Sequence, residues 1–191
     1  MRYANTHKED TCNKLLASSR AIAKRGGFTS TGVDALMGSI GLSGGAFYSH
    51  FPSKQAVCED IIGAEISNST DMLAGNEDSP DNHVAKCLRD YLSTFHAMNP
   101  DVGCVLPALG AEIARAGPEV RTTVERGLKR THKSWSERVD DPDAAWALIA
   151  QCVGAVMLAR AVESDKTRKE ILSASRRFID KAQVREASKK D

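Results

Sequence analysis

GLSGGAFYSHF, residues 41–51, is the stretch on which the fold turns. Gly41 supplies a left-handed or otherwise tight turn, Leu42 is placed to plug the corner between two helices, and Ser43 stands where a hydroxyl caps a helix N-terminus. Two short helices therefore meet through a turn of about three residues. Phe47 and Phe51 lie four apart and face one core, while Tyr48 points elsewhere. Pro52 breaks the chain, and Ser53 is placed to cap a longer helix whose apolar set is Val57, Ile61 and Ile62.

Outward from this segment the spacing stays helical. Upstream, Val33, Leu36, Met37 and Ile40 repeat at three and four residues, with Thr31 placed as their cap. Before them Cys12, Leu15, Leu16, Ser19, Ile22 and Ala23 form one amphipathic stripe that ends at Gly26-Gly27. Downstream, GNEDSPD at 75–81 is an acidic surface loop, and Val84, Leu88, Tyr91, Leu92, Phe95 and Met98 read as one helix stopped by Asn99-Pro100. A short helix falls within 103–117, and Pro118 opens a long one carrying Val120, Val124, Leu128, Trp135 and Val139. Ile171, Leu172, Ser175, Phe178 and Ile179 mark a last amphipathic helix, followed by a polar tail from about Ala182.

AAWALIAQCVGAVMLARAV, 144–162, is apolar nearly all round and long enough to span a bilayer. Gln151, Arg160, the alanine content and the lack of basic flanks favour a helix buried on several sides in a soluble assembly. Within it Gln151, Gly154 and Ala155 suit close contact with a second copy, the alternative being an intramolecular core.

Of the 191 residues 41% are apolar and 27% charged, an ordinary balance for a soluble protein with room for two packed units. Net charge is only +1, but residues 1–54 hold seven Lys and Arg against three Asp and Glu, so the positive charge gathers at the front, as phosphate attraction requires. The polar opening MRYANTHKED lacks the apolar run of a signal peptide, which points to the cytoplasm. Cysteines at 12, 58, 87, 104 and 152 show no zinc or dithiol spacing, so no metal or cofactor is expected. No phosphate loop, nucleophile elbow or metal-ligand motif points to an enzyme, and no catalytic residue is nominated.

Residues 27–57 resemble the DNA-binding segment of the tetracycline-repressor (TetR) family in Thr31, Gly41-Leu42-Ser43, Tyr48-x-His50-Phe51 and Lys54. The opening residues and GCVLPALGAEIARAGPEVR, 103–121, resemble one branch of that family. The resemblance implies an all-α protomer of about nine helices. Three N-terminal helices bind DNA, the middle helices surround a small-molecule cavity, and the last two build a dimeric four-helix bundle. The expected division is 1–53 for DNA binding, 54–181 for ligand binding and dimerisation, and 182–191 as tail. Gly44 and Gly45 depart from the family, which often has one larger residue there. Each costs helix stability of about 1 kcal/mol relative to alanine and leaves few side chains for base edges.

Candidate DNA-binding residues are Thr31, Ser43, Gly44, Gly45, Ala46, Tyr48, His50 and Lys54. Tyr48 can donate to a phosphate, the alternative being a partly buried core tyrosine. His50 follows the same logic. Lys54 opposes the macrodipole in the first turn of its helix, which suits an external anion. Thr31 and Ser43 are caps that can also hold phosphate, Gly44, Gly45 and Ala46 can approach bases by backbone and methyl contact, and Arg2 and Tyr3 form either an arm or a loose terminus. The resemblance nominates Met98, Cys104, Leu109, Trp135 and Cys152 for the ligand cavity, each otherwise plain core. Cys104 is in addition a candidate electrophile or oxidant sensor, against packing as the alternative. The partners implied are double-stranded DNA with a palindromic operator, a small-molecule effector and a second copy of the chain, with no membrane. The rival is a helical interaction protein whose helix-turn-helix binds no DNA.

Overall fold

The computed structural model describes the backbone of residues 2–187 and the side chains of residues 10–181; the polar-tail expectation at 182–191 and the arm residues Arg2 and Tyr3 lie outside the described side chains. Ten α-helices and one 3-10 turn follow in order: α1 Arg2–Gly26, α2 Val33–Gly38, the 3-10 turn Gly44–Ala46 leading into α3 Phe47–His50, α4 Lys54–Ala74, α5 His83–Tyr91, α6 Thr94–Met98, α7 Leu106–Arg115, α8 Pro118–Val139, α9 Pro142–Ala161 and α10 Asp165–Ala187. No strand occurs among the described residues.

Two compact units emerge. The first holds residues up to Asn68 with Pro100–Arg126, and the second holds Ser69–Asn99 with the residues from Gly127 onward. The first unit is thus larger than the expected 1–53 segment, because α7 and the first half of α8 fold with it. Its core is built from Leu15, Ala23, Phe28, Leu36, Met37, Phe47, Phe51, Val57 and Ile61, together with Leu109 and Ile113 of α7. These are the apolar positions of the helical spacing, and each buried large side chain contributes about 1.5–3 kcal/mol.

In the second unit α9 packs against α10, α6 and α5. Asp141 caps α9 by accepting from the amides of Asp143 and Ala144, and Pro142 fills the first helical position, where a missing N–H is harmless. Asp140 ends the run out of α8 in the left-handed conformation, φ 56°. Trp135 is buried, and its indole N–H donates to the carbonyl of Leu73 at 2.7 Å.

Several expectations need correction. The stripe from Val84 to Met98 is two helices, because Ser93 interrupts the run and caps α6 by accepting from the His96 amide. Phe95 and Met98 consequently face solvent. Within a single chain helix α9 is covered on one side, where Ala145, Leu148, Cys152, Ala155, Val156 and Ala159 form a buried stripe. The opposite face leaves Trp146, Met157 and Leu158 between 41% and 60% exposed. By length and composition alone this helix could cross a membrane. Arg160 on α9 donates to the carbonyls of His96 and Ala97, and Gln151 donates to Ser175, so its polar groups are spent inside the helical layers.

Candidate nucleic-acid interface

The turn between α2 and the segment Gly44–His50 is closed by backbone bonds. The amides of Ile40 and Leu42 donate to the carbonyl of Met37, and Gly41 takes φ +76°, which its lack of a Cβ permits. Below it, Leu36, Met37 and Phe47 are fully buried. The rings of Phe47 and Phe51 sit 5.7 Å apart, and Phe47 meets Tyr48 edge to face at 5.2 Å. Anchored on this pair, α3 projects Tyr48 outward with 68% of its surface exposed, which disposes of the buried-core alternative.

Leu42 does not plug the helix corner. It is 39% exposed, because Leu36, Met37 and Phe47 already fill the space below the turn. Thr31 does not cap α2 either: Gly32 holds the cap position, and the Thr31 hydroxyl donates to the carbonyl of Gly27 at 2.9 Å. Ser43 occupies the cap position of the 3-10 turn in extended conformation without a side-chain cap bond. Ser53, by contrast, accepts from the Ala56 amide at the start of α4.

Ser43 and Gly45 are exposed, and Gly44 and Ala46 are half-buried. A Cβ on Gly44 would run into Asp34 Oδ1 and lie 3.0 Å from its Cγ, so a larger residue would oblige the Asp34 side chain to swing aside, while the Asp34 Cα of α2 stays at an ordinary 3.5 Å. No such neighbour faces Gly45. His50 is half-buried, with Nδ1 3.9 Å from Cys12 Sγ. Lys54 has partners within the protein: its Nζ donates to the Thr29 carbonyl at 2.9 Å and lies 5.2 Å above the Phe28 ring. The macrodipole conflict expected at this position is thereby offset within the protein.

Three groups of polar contacts that no local stretch of sequence displays hold this scaffold. The Glu112 carboxylate of α7 accepts from the amides of Phe28 and Thr29 and from the Thr29 hydroxyl, at 2.9–3.0 Å. Gly27 turns there at φ +83°, and a Cβ would stand 2.8 Å from Glu112 Oε1. Buried Lys24 donates to Glu65 at 2.5 Å and to the carbonyl of Gly103 at 3.0 Å, while Arg25 pairs with Asp101 at 2.7 Å. The hydrogen bond from Arg25 holds the Asp101 carboxyl below its ordinary range. Glycine at 26 and 27 was the available signal for the turn. Glu112 lies 84 residues from Phe28, and nothing local announces it.

The nominated effector residues divide between the units. Cys104 and Leu109 are buried in the first, Trp135 and Cys152 are buried in the second, and Met98 is exposed on α6. None of them lines the hollow of about 430 Å³ between α5 and α10, whose rim carries Arg89, Arg176 and Arg177. Cys104 is 4% exposed, short of the access a reactive thiolate needs. Burial together with Glu112 and Glu59 pushes the Cys58 thiol up to about 11, and burial and Asp90 raise that of Cys87, so both stay protonated at neutral pH.

Comparison with known proteins bears on this geometry. The family model for bacterial regulatory proteins of the tetR family matches residues 15–61, which are α1 from Leu15 through the first turns of α4. The HTH-type transcriptional repressor NemR of Escherichia coli K12 is 26% identical over 130 residues, and the match covers 65% of this chain and 65% of that protein. The chain therefore matches just under two thirds of that relative's length. The crystal structure of reduced E. coli NemR superposes with a TM-score of 0.72 at 21% identity, covering 89% of this chain and 95% of that one. A TetR-family regulator from Agrobacterium tumefaciens gives 0.73 at 17% identity, with 91% and 98% covered. At these identities the superpositions establish the fold.

Proposed function

The chain belongs to the tetR family of bacterial regulatory proteins, and as a transcriptional regulator of that family we propose that it is a cytoplasmic repressor that binds a palindromic operator as a homodimer and releases it when a small molecule binds. The observation that carries this reading is Tyr48, largely exposed to solvent on a segment whose neighbours Phe47 and Phe51 are locked in the core. Such a side chain contributes little to stability and is placed to donate to a phosphate. Gly44, Gly45 and Ala46 approach the major groove by backbone and methyl group. Ser43 and His50 flank that approach, and Thr31 and Lys54 brace it from below.

Two copies are proposed to meet through α9 and α10, where Trp146, Met157, Leu158 and Phe178 are exposed. An apolar face of this kind is the mark of a protein interface. A second copy is favoured over lipid because Arg160 and Gln151 of the same helix are fixed by intramolecular hydrogen bonds. The dimer sets the two recognition segments one helical turn of DNA apart, about 34–36 Å. An effector lowers affinity only by binding the two conformers unequally, and a coupling of about 1–3 kcal/mol gives a 5- to 150-fold change. Leu109, Trp135, Cys104, Cys152 and Met98 remain the effector residues to substitute first.

A gel shift with a palindrome from the adjoining promoter at two salt concentrations tests the reading. Binding that weakens steeply with salt and falls about tenfold or more in Tyr48→Phe supports it. Weak binding with a flat salt dependence assigns the chain instead to a helical interaction protein.

A further inference from the structure

The recognition segment is poor in groups that read bases. Gly44, Gly45 and Ala46 carry no polar side chain, and the Ser49 hydroxyl donates to the Ala46 carbonyl at 2.6 Å. Base discrimination in the major groove is made by side-chain donors and acceptors matched to base edges, and phosphate contacts cannot replace it. With Tyr48 assigned to a phosphate, a side chain beside Gly44–Ala46 is the place to seek a further base-reading group.

Asp34 is that neighbour. It is the only carboxylate between Asp10 and Glu59, in the part of the chain that carries the positive charge. It stands exposed in the first turn of α2, with its carboxylate packed against Gly44, the first residue of the recognition segment. An unneutralised carboxylate at a phosphate-facing surface costs affinity by repulsion. Against a base edge the same group is favourable, because it accepts from the exocyclic amine of cytosine. The glycine at 44 leaves room for the carboxylate in this position, since a Cβ there would displace it.

We propose that Asp34 is a base-reading residue whose carboxylate accepts a hydrogen bond from the N4 amino group of a cytosine at one position of each operator half-site. The assignment rests on the reading that the Gly44–His50 segment enters the major groove.

Selection from a randomised double-stranded DNA library with the full chain tests it, comparing the native protein with Asp34→Ala and Asp34→Asn. The native protein is expected to enrich cytosine at one symmetric position by about fivefold or more over the next base. Asp34→Ala loses the preference at that position alone. Asp34→Asn, nearly isosteric and able to stand in if the alanine variant folds poorly, shifts it toward adenine, whose N6 and N7 suit an amide. An unchanged base ranking in both variants overturns the assignment, as does a uniform gain in affinity for all sequences or a position that prefers a base other than cytosine. If the native protein is folded yet enriches no sequence, operator binding itself fails. Enrichment that Asp34 does not influence removes only the present assignment.

Discussion

The recognition segment and helix α9 carry opposite kinds of surface. Residues 44–50 offer a polar surface held up by buried aromatic side chains, with Tyr48 outside and Phe47 inside. Helix α9 offers an apolar surface held up by a buried stripe, with Trp146 and Leu158 outside and Ala155 and Val156 inside. Each has one face fixed by the fold and one face left over. Under the proposed function the residues left over suit different partners: hydroxyl, imidazole and bare backbone suit DNA, and large apolar side chains suit another protein surface.

Removing the support under the polar surface should have the largest effect. Phe47→Ala is expected to destabilise the chain by about 3–5 kcal/mol, read by urea denaturation, and to abolish DNA binding. A stable Phe47→Ala protein would mean that the aromatic pair is not the foundation of α3. On the apolar surface, Leu158→Arg should leave the helix content intact and halve the mass seen by sedimentation equilibrium, because a charge buried at an interface without a partner is strongly disfavoured. A dimer that survives places the contact elsewhere.

Smaller effects sharpen the contrast. Glu112→Gln keeps the shape of the side chain but loses the charge that strengthens its bonds to Phe28 and Thr29, at a cost of about 1–2 kcal/mol in thermal or urea unfolding. No change would show that the α1–α2 turn is held by Gly27 alone. Asp101→Asn should lower the melting temperature slightly at neutral pH. Because the fold depresses the Asp101 pKa, its contribution is present above the unfolded value of about 3.9 and is lost as pH falls through the lower folded value. The difference between native and variant proteins should therefore disappear in acid, and a difference that persists there is not electrostatic. Last, Cys104→Ser is expected to leave any oxidant-dependent DNA release unchanged, since the thiol is packed away.

Features written in adjacent residues were legible in the sequence. The turn at Gly41, the inward Phe47 and Phe51 and the Ser53 cap depend only on near neighbours. The readings that failed depended on competition. The Thr31 hydroxyl found the Gly27 carbonyl before it could cap α2, and the space offered to Leu42 was already filled. Ser93 broke a stripe whose apolar spacing continued through it. In α9 an apolar composition all round concealed which face the chain itself would cover. The contacts of Glu112, Lys24 and Asp34 join residues from separate elements, and no single stretch of sequence displays them.

The central claim is that two copies of the exposed Gly44–His50 segment enter successive major grooves. A hydroxyl-radical footprint over the adjoining intergenic DNA measures this directly. Two protected patches on one face of the duplex, about 10 base pairs apart and lost together in Leu158→Arg, are the predicted result. A single patch, or protection indifferent to that substitution, would contradict the claim.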